Sequence, residues 1–166
     1  RFDPQKDHAN LLVALAILRD RGVSFRCVLV GTGMDSSNTQ IVEWIAQRGL
    51  TDRVQLLGRR NDIPNIMNAL DLHVLPSAYG EAFPNVVAEA MACGTPVAAY
   101  PVTGPIDVIG NSQSGAMHTD LRQACMDALK IPREVARAHA EKFSWQVASN
   151  QFVGYLKPIE SHTTVK

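Results

Sequence analysis

The stretch Pro76–Pro96, P-S-A-Y-G-E-A-F-P-N-V-V-A-E-A-M-A-C-G-T-P, constrains the fold more than any other part of the chain. It is entered from Leu72-His-Val-Leu-Pro76, a short apolar run ended by proline that predicts a buried strand, and Tyr79-Gly80 supplies the turn. Pro84 is a good first helical residue, Asn85–Ala92 reads as a helix, and Gly94 stands where that helix closes, with Thr95-Pro96 starting the next strand. The result is a parallel α/β unit. In such a unit the free N–H groups of the first helical turn point into the crevice at the carboxyl ends of the strands, where phosphates bind. Those groups belong to Phe83 through Val86. Glu81 sits just before the helix and Glu89 in its second turn, so one carboxylate can meet a ligand near its reacting end. The other can grip a hydroxyl pair such as that of ribose, accepting two charge-assisted hydrogen bonds.

The same alternation runs through the rest of the chain. Asp7 is an N-cap for a helix whose apolar positions Leu11, Leu12, Leu15, Ile17 and Leu18 recur near helical spacing, and Gly22 ends it. Phe25–Val30 predicts a strand buried on both faces, followed by Gly31-Thr-Gly33. Asn38–Arg48 is a helix with Ile41, Trp44 and Ile45 on one face, and Val54–Leu57 a strand. Asp62 is expected to cap a helix through Asn68 that turns Ile63, Ile66, Met67 and Leu70 inward. Val97–Tyr100 is a further strand, Gly110–Gly115 a polar turn and Ala116-Met117 a minimal last strand. Asp120–Leu129, Arg133–Lys142 and Ser144–Leu156 close the chain as three helices. The pattern predicts an α/β, Rossmann-like domain over residues 1–157, with a mostly parallel sheet and helices on both faces, and a flexible tail over 158–166.

Composition narrows the function. A chain of 166 residues with 46% apolar content can bury one good core, and a formal net charge of zero gives no nucleic-acid footprint. No polybasic run suggests an anionic membrane surface, and no apolar segment is long enough to cross a bilayer. Cys27, Cys93 and Cys125 are widely spaced in apolar surroundings and read as buried thiols of a reducing, cytoplasmic compartment. The five histidines show no metal-ligand spacing, and no P-loop is present. Gly31-Thr-Gly33 invites a dinucleotide reading, but Ser36 stands where that fingerprint needs a small Gly or Ala, and no acid ends the strand Val54–Leu57.

Glu81 and Glu89, separated by seven residues within G-E-A-F-P-N-V-V-A-E-A-M-A-C-G-T-P-V, resemble the E-x7-E signature of retaining glycosyltransferases of the GT-B architecture, family 4. The opening R-F-D-P-Q-K-D resembles that family's loop between the first strand and first helix of the donor domain, and Phe143-Ser-Trp145 the start of its closing helix. The resemblance spans roughly residues 1 to 157 and implies the C-terminal, donor-binding half of a GT-B enzyme. It implies transfer of a sugar from a nucleoside-diphosphate donor with retention at the anomeric carbon, without cofactor or required metal. Arg1 and Lys6 would hold the diphosphate, aided by the loop and helix start Ala82, Phe83, Pro84, Asn85 and Val86. Glu81 would orient the donor sugar and Glu89 hold the ribose. Gly31 and Gly33 would allow close backbone approach, and Gly58 and Arg59 would meet the nucleobase. Gly104 and Asp107 fill places where many members carry an Asp-Val-Gly-Gly-like loop and a Glu. The resemblance further implies that a strand before Arg1 and an N-terminal, acceptor-binding domain belong to the full-length protein, to which any membrane association is left. The base, whether uridine, guanosine or adenosine, stays open, as does the acceptor. Two alternatives carry over: a sugar-nucleotide epimerase, and a non-catalytic nucleotide-binding module.

Overall fold

The computed structural model describes residues 1–157; the tail expected over 158–166 lies outside the described residues. After a 3-10 turn at Pro4–Lys6, helices and strands alternate in the order α1 (His8–Asp20), β1 (Cys27–Val30), α2 (Thr39–Gln47), β2 (Val54–Gly58), α3 (Ile63–Ala69), β3 (His73–Leu75), α4 (Asn85–Ala92), β4 (Val97–Ala99), α5 (Pro105–Ile109) and β5 (Gly115–Met117). Three helices follow, α6 (Leu121–Ala128), α7 (Arg133–Ala140) and α8 (Trp145–Tyr155). Every strand pair is parallel, as helical crossovers require. The pairs form two ladders, β1–β2 and β3–β4–β5.

The centre of the larger ladder shows why the fold is layered. Val97, Ala98 and Ala99 of β4 are all fully buried, and side chains alternate across a strand. Ala98 therefore joins a cluster with Leu11, Leu12 and Leu15 of α1, Leu29 of β1, Ile41 and Ile45 of α2, and Leu121 and Ala124 of α6. Val97 and Ala99 join the opposite cluster with Met67, Leu75, Val87, Met91, Val108 and Ala136. Helices thus cover both faces, the Rossmann-like arrangement expected.

Side-chain caps set four of the α-helix starts, the expected Asp7 among them. Asp7 accepts from the Asn10 N–H at 3.2 Å, Asn38 from Ile41 at 3.4 Å and Ser144 from Val147 at 3.3 Å. Asp62 departs from expectation: it occupies the N-cap position of α3 without a capping bond, because both its oxygens accept from Arg60, at 2.8 and 2.7 Å. Of the α3 residues expected inward only Met67 is buried. Pro84 sits at the N-cap of α4, one position earlier than expected. Helix α5 was not anticipated at all. Gly104 begins it, Pro105 takes its first position, and the Asp107 carboxylate accepts from the Gly104 N–H at 3.3 Å. Cys27 and Cys93, expected to be buried, are half-buried, and Cys125 is buried fully. Burial pushes the Cys27 and Cys125 thiols up to about 12 and about 11. Helix α8 buries none of its residues.

Arg133 of α7 holds the C-terminal end of α4. Its guanidinium donates to the Leu70, Asn68 and Cys93 carbonyls at 2.7, 2.9 and 3.1 Å, tying the C-terminal ends of α3 and α4 to α7. A cation is favourable where unpaired carbonyls accumulate at helix ends.

His73 makes the fold acid-sensitive. Its Nε2 is shut off from solvent without a hydrogen-bond partner, and burial, reinforced by the Lys6 charge, lowers its pKa to about 4. The folded protein therefore binds fewer protons than the unfolded chain between about pH 4 and the ordinary value near 6.5, so stability rises with pH across that window and is lost as pH falls through it. His8, lowered to about 4 by burial, acts in the same window. We expect acidification from about pH 7 to 4.5 to cost roughly 2 kcal/mol through His73. Melting temperature against pH should flatten measurably in His73→Leu. An unchanged acid slope in that variant would contradict the assignment.

Candidate active site

Residues 1–7 run across the carboxyl ends of the strands and are laced to the β3–α4 loop. Asp3 accepts from the Gln5 N–H at 3.0 Å and fixes the 3-10 turn. The Gln5 carbonyl accepts from the Ala78 N–H at 2.9 Å, and the Gln5 amide donates to the Gly80 carbonyl at 3.1 Å. The Lys6 ammonium thereby reaches Oε1 of Glu81 at 2.6 Å, and the Ser77 hydroxyl donates to the same oxygen. From the other side the Glu81 N–H donates to the Thr103 carbonyl at 3.0 Å. Burial alone would raise the Glu81 pKa, but the Lys6 and Ser77 hydrogen bonds and the Lys6 and Arg1 charges outweigh it, so the carboxyl is held below its ordinary value. Oε2 accepts no hydrogen bond among the described residues.

At the start of α4 the expected row of donors is shorter than Phe83 through Val86. Pro84 has no N–H, and the Asn85 N–H is taken by the Phe83 carbonyl at 3.0 Å in a tight turn. Ala82, Phe83 and Val86 are left with N–H groups unbonded among the described residues. They stand at the positive end of the α4 dipole.

The other expected residues divide into two groups. Gly31 and Gly33 lie against the N-terminal segment: a Cβ at Gly31 would stand 3.0 Å from the Arg1 nitrogen, and one at Gly33 2.9 Å from the Phe2 Cβ. Gly58 is next to them, its carbonyl accepting from the Gly31 N–H at 2.8 Å. The Arg1 side chain is 66% exposed and pairs through its Nε with Asp3 at 3.1 Å. Arg59 is exposed. Glu89 is not among the groups that meet at Lys6. With Phe83 and Asn85 it lines an open groove of about 540 Å³ between α4 and the segment carrying Arg137, Phe143 and Trp145. The sequence reading missed Ser77 and Gln5. Ser77 follows the proline that ends the strand run, a position that faces the crevice in a parallel unit, whereas nothing marked Gln5.

Among the described residues no group of three His, Cys, Asp or Glu is placed to hold a metal ion, and no helix is long and apolar enough to cross a membrane.

Residues 1–124 match the family described as Glycosyl transferases group 1. The chain belongs to the group 1 glycosyltransferases. Among curated relatives in this enzyme family, the 2-deoxystreptamine glucosyltransferase of Streptomyces kanamyceticus is 38% identical over 66% of this chain and 28% of its own length. The D-inositol 3-phosphate glycosyltransferase of Salinispora tropica is 34% identical over 99% of this chain and 38% of its own. A solved structure of Anabaena HepE in complex with UDP superposes with a TM-score of 0.74 at 28% identity, over 93% of this chain and 45% of HepE. This glycosyltransferase chain therefore spans less than half the length of the relatives it matches. Nothing in these relatives favours the epimerase alternative.

Proposed function

We propose that this chain is the donor half of a retaining glycosyltransferase and holds a nucleoside-diphosphate sugar along residues 1–7 and the start of α4. One observation carries the reading. Lys6 and Glu81, 75 residues apart, meet at 2.6 Å beside a helix start with unbonded N–H groups. An ammonium has three donors, so Lys6 can keep Glu81 and still receive the diphosphate. The departing diphosphate leaves with the electron pair of the anomeric C–O bond, and fixed donors aimed at that growing charge lower the barrier. Lys6 and the free amides of Ala82, Phe83 and Val86 supply them, with Arg1 released from Asp3. Glu81 orients the donor sugar. Glu89, along the groove with Phe83 and Asn85, takes the ribose. The acceptor is held by the rest of the full-length protein. Because HepE was solved with UDP, uridine is the first base to test.

Calorimetric titration with UDP and UMP, then the guanosine and adenosine pairs, tests this. One diphosphate is expected to bind at least about tenfold tighter than its monophosphate, the worth of one charge-assisted hydrogen bond. Lys6→Ala should erase most of that margin. Equal affinities for di- and monophosphate in all three pairs would refute the reading.

A further inference from the structure

We propose that Ser77 is a positioning residue for Glu81: its hydroxyl pins one carboxylate oxygen, Oε1, so that the other, Oε2, is presented to the donor sugar. The inference rests on the donor-site reading above and deepens it. Ser77 is almost wholly buried, 1% exposed, at the carboxyl end of β3, so its hydroxyl has a fixed neighbourhood. That hydroxyl and the Lys6 ammonium both donate to Oε1, and Oε2 is left unbonded among the described residues. The backbone is braced as well. The Glu81 N–H is held by Thr103, Gly80 by Gln5, and Ala78 by Gln5.

The two donors to Oε1 differ in what happens when a diphosphate arrives. Lys6 is a cation, and a neighbouring diphosphate competes with Glu81 for it. Ser77 is neutral and enclosed, and a phosphate has no comparable pull on it. As charge grows on the diphosphate, the Lys6 bond to Oε1 weakens while the serine bond is undiminished and keeps the carboxylate from rotating. A hydroxyl bond of this kind favours the ionised form of the acid it serves. Ser77 therefore acts on the sugar through Glu81 without touching the nucleotide.

The test uses the full-length protein with UDP and UDP-glucose as probes, or the base selected by the titration above. Ser77→Ala is expected to bind UDP within about twofold of wild type and UDP-glucose about 10-fold more weakly, the loss of one hydrogen bond to a charged group. The acid limb of UDP-glucose binding should move to higher pH, because the carboxylate loses a partner of its charged form while Lys6 and Arg1 remain. Ser77→Thr, which keeps the hydroxyl, should restore both. A residue that merely holds the loop would lower both affinities together and leave the acid limb in place. That result, or an alanine variant equal to wild type toward both ligands, overturns the proposal. If wild type binds none of the nucleoside diphosphates, the donor-site reading itself falls and the Ser77 proposal with it. Binding of the diphosphate by wild type with an indifferent Ser77→Ala sinks the Ser77 proposal alone.

Discussion

Glu81→Ala in the full-length protein is expected to lower sugar transfer by about 100-fold, the scale of losing fixed geometry at a reacting centre, without weakening free nucleoside diphosphate. The split follows from the contacts. Glu81 is where the donor sugar would be held, so its loss is felt only by ligands that carry a sugar. Lys6, freed from a carboxylate at 2.6 Å, loses a competitor for the diphosphate, so affinity for UDP should stay level or rise. Label transfer from a radioactive donor measures the first quantity and calorimetry the second. A parallel fall in both would mean that Glu81 works by placing Lys6, and the role assigned to it would be wrong.

Gly104→Ala should be the most damaging single substitution near the site, costing about 3 kcal/mol and lowering the melting temperature by roughly 6–12 °C. Two costs add. Gly104 has φ +94, where a side chain is strained, and an added Cβ would lie 2.6 Å from the Glu81 carbonyl oxygen and 3.1 Å from the Pro84 Cδ. The overlap is with backbone, so it can be relieved only by moving the loop that carries Glu81. Gly22→Ala isolates the first cost, because φ is +77 there and nothing lies within 4 Å of the added atom; about 1 kcal/mol is expected. Thermal melts of the two variants decide. A Gly104→Ala protein that melts no lower than Gly22→Ala would show that the β4–α5 loop yields freely beneath Glu81.

Legibility in the sequence followed the range of the interaction. Strands and helix starts were readable because their causes are local: an apolar run ended by Pro76, or a cap such as Asp7 whose partner lies three residues on. The misses arose where two local partners compete. Asp62 could cap α3 or pair with Arg60, and a bidentate ion pair two residues away won. Asn85 could offer its N–H to a ligand, but the Phe83 carbonyl lies closer. At the site, Glu81 and Lys6 were each marked by the motifs around them. Their meeting, and the presence of Gln5 and Ser77 beside them, depends on bringing residues 5–6 against 77–81, which no short-range pattern encodes. Helix α5 was missed for a further reason: five residues are too few for periodicity to show.

The first seven residues have a mechanical consequence. Among the described residues no main-chain hydrogen bond joins the two ladders, and this segment is anchored on both, through the Phe2 N–H to the Thr32 carbonyl at 2.8 Å beside β1 and through Gln5 and Lys6 to the loop after β3. It works as a tie rod across a seam otherwise closed by side-chain packing. A ligand seated along the rod adds bonds to both halves, so whatever strengthens its grip also raises the free energy of prising them apart. Affinity at the crevice and protection of the β1 and β3 amides from solvent exchange are then two readings of one quantity.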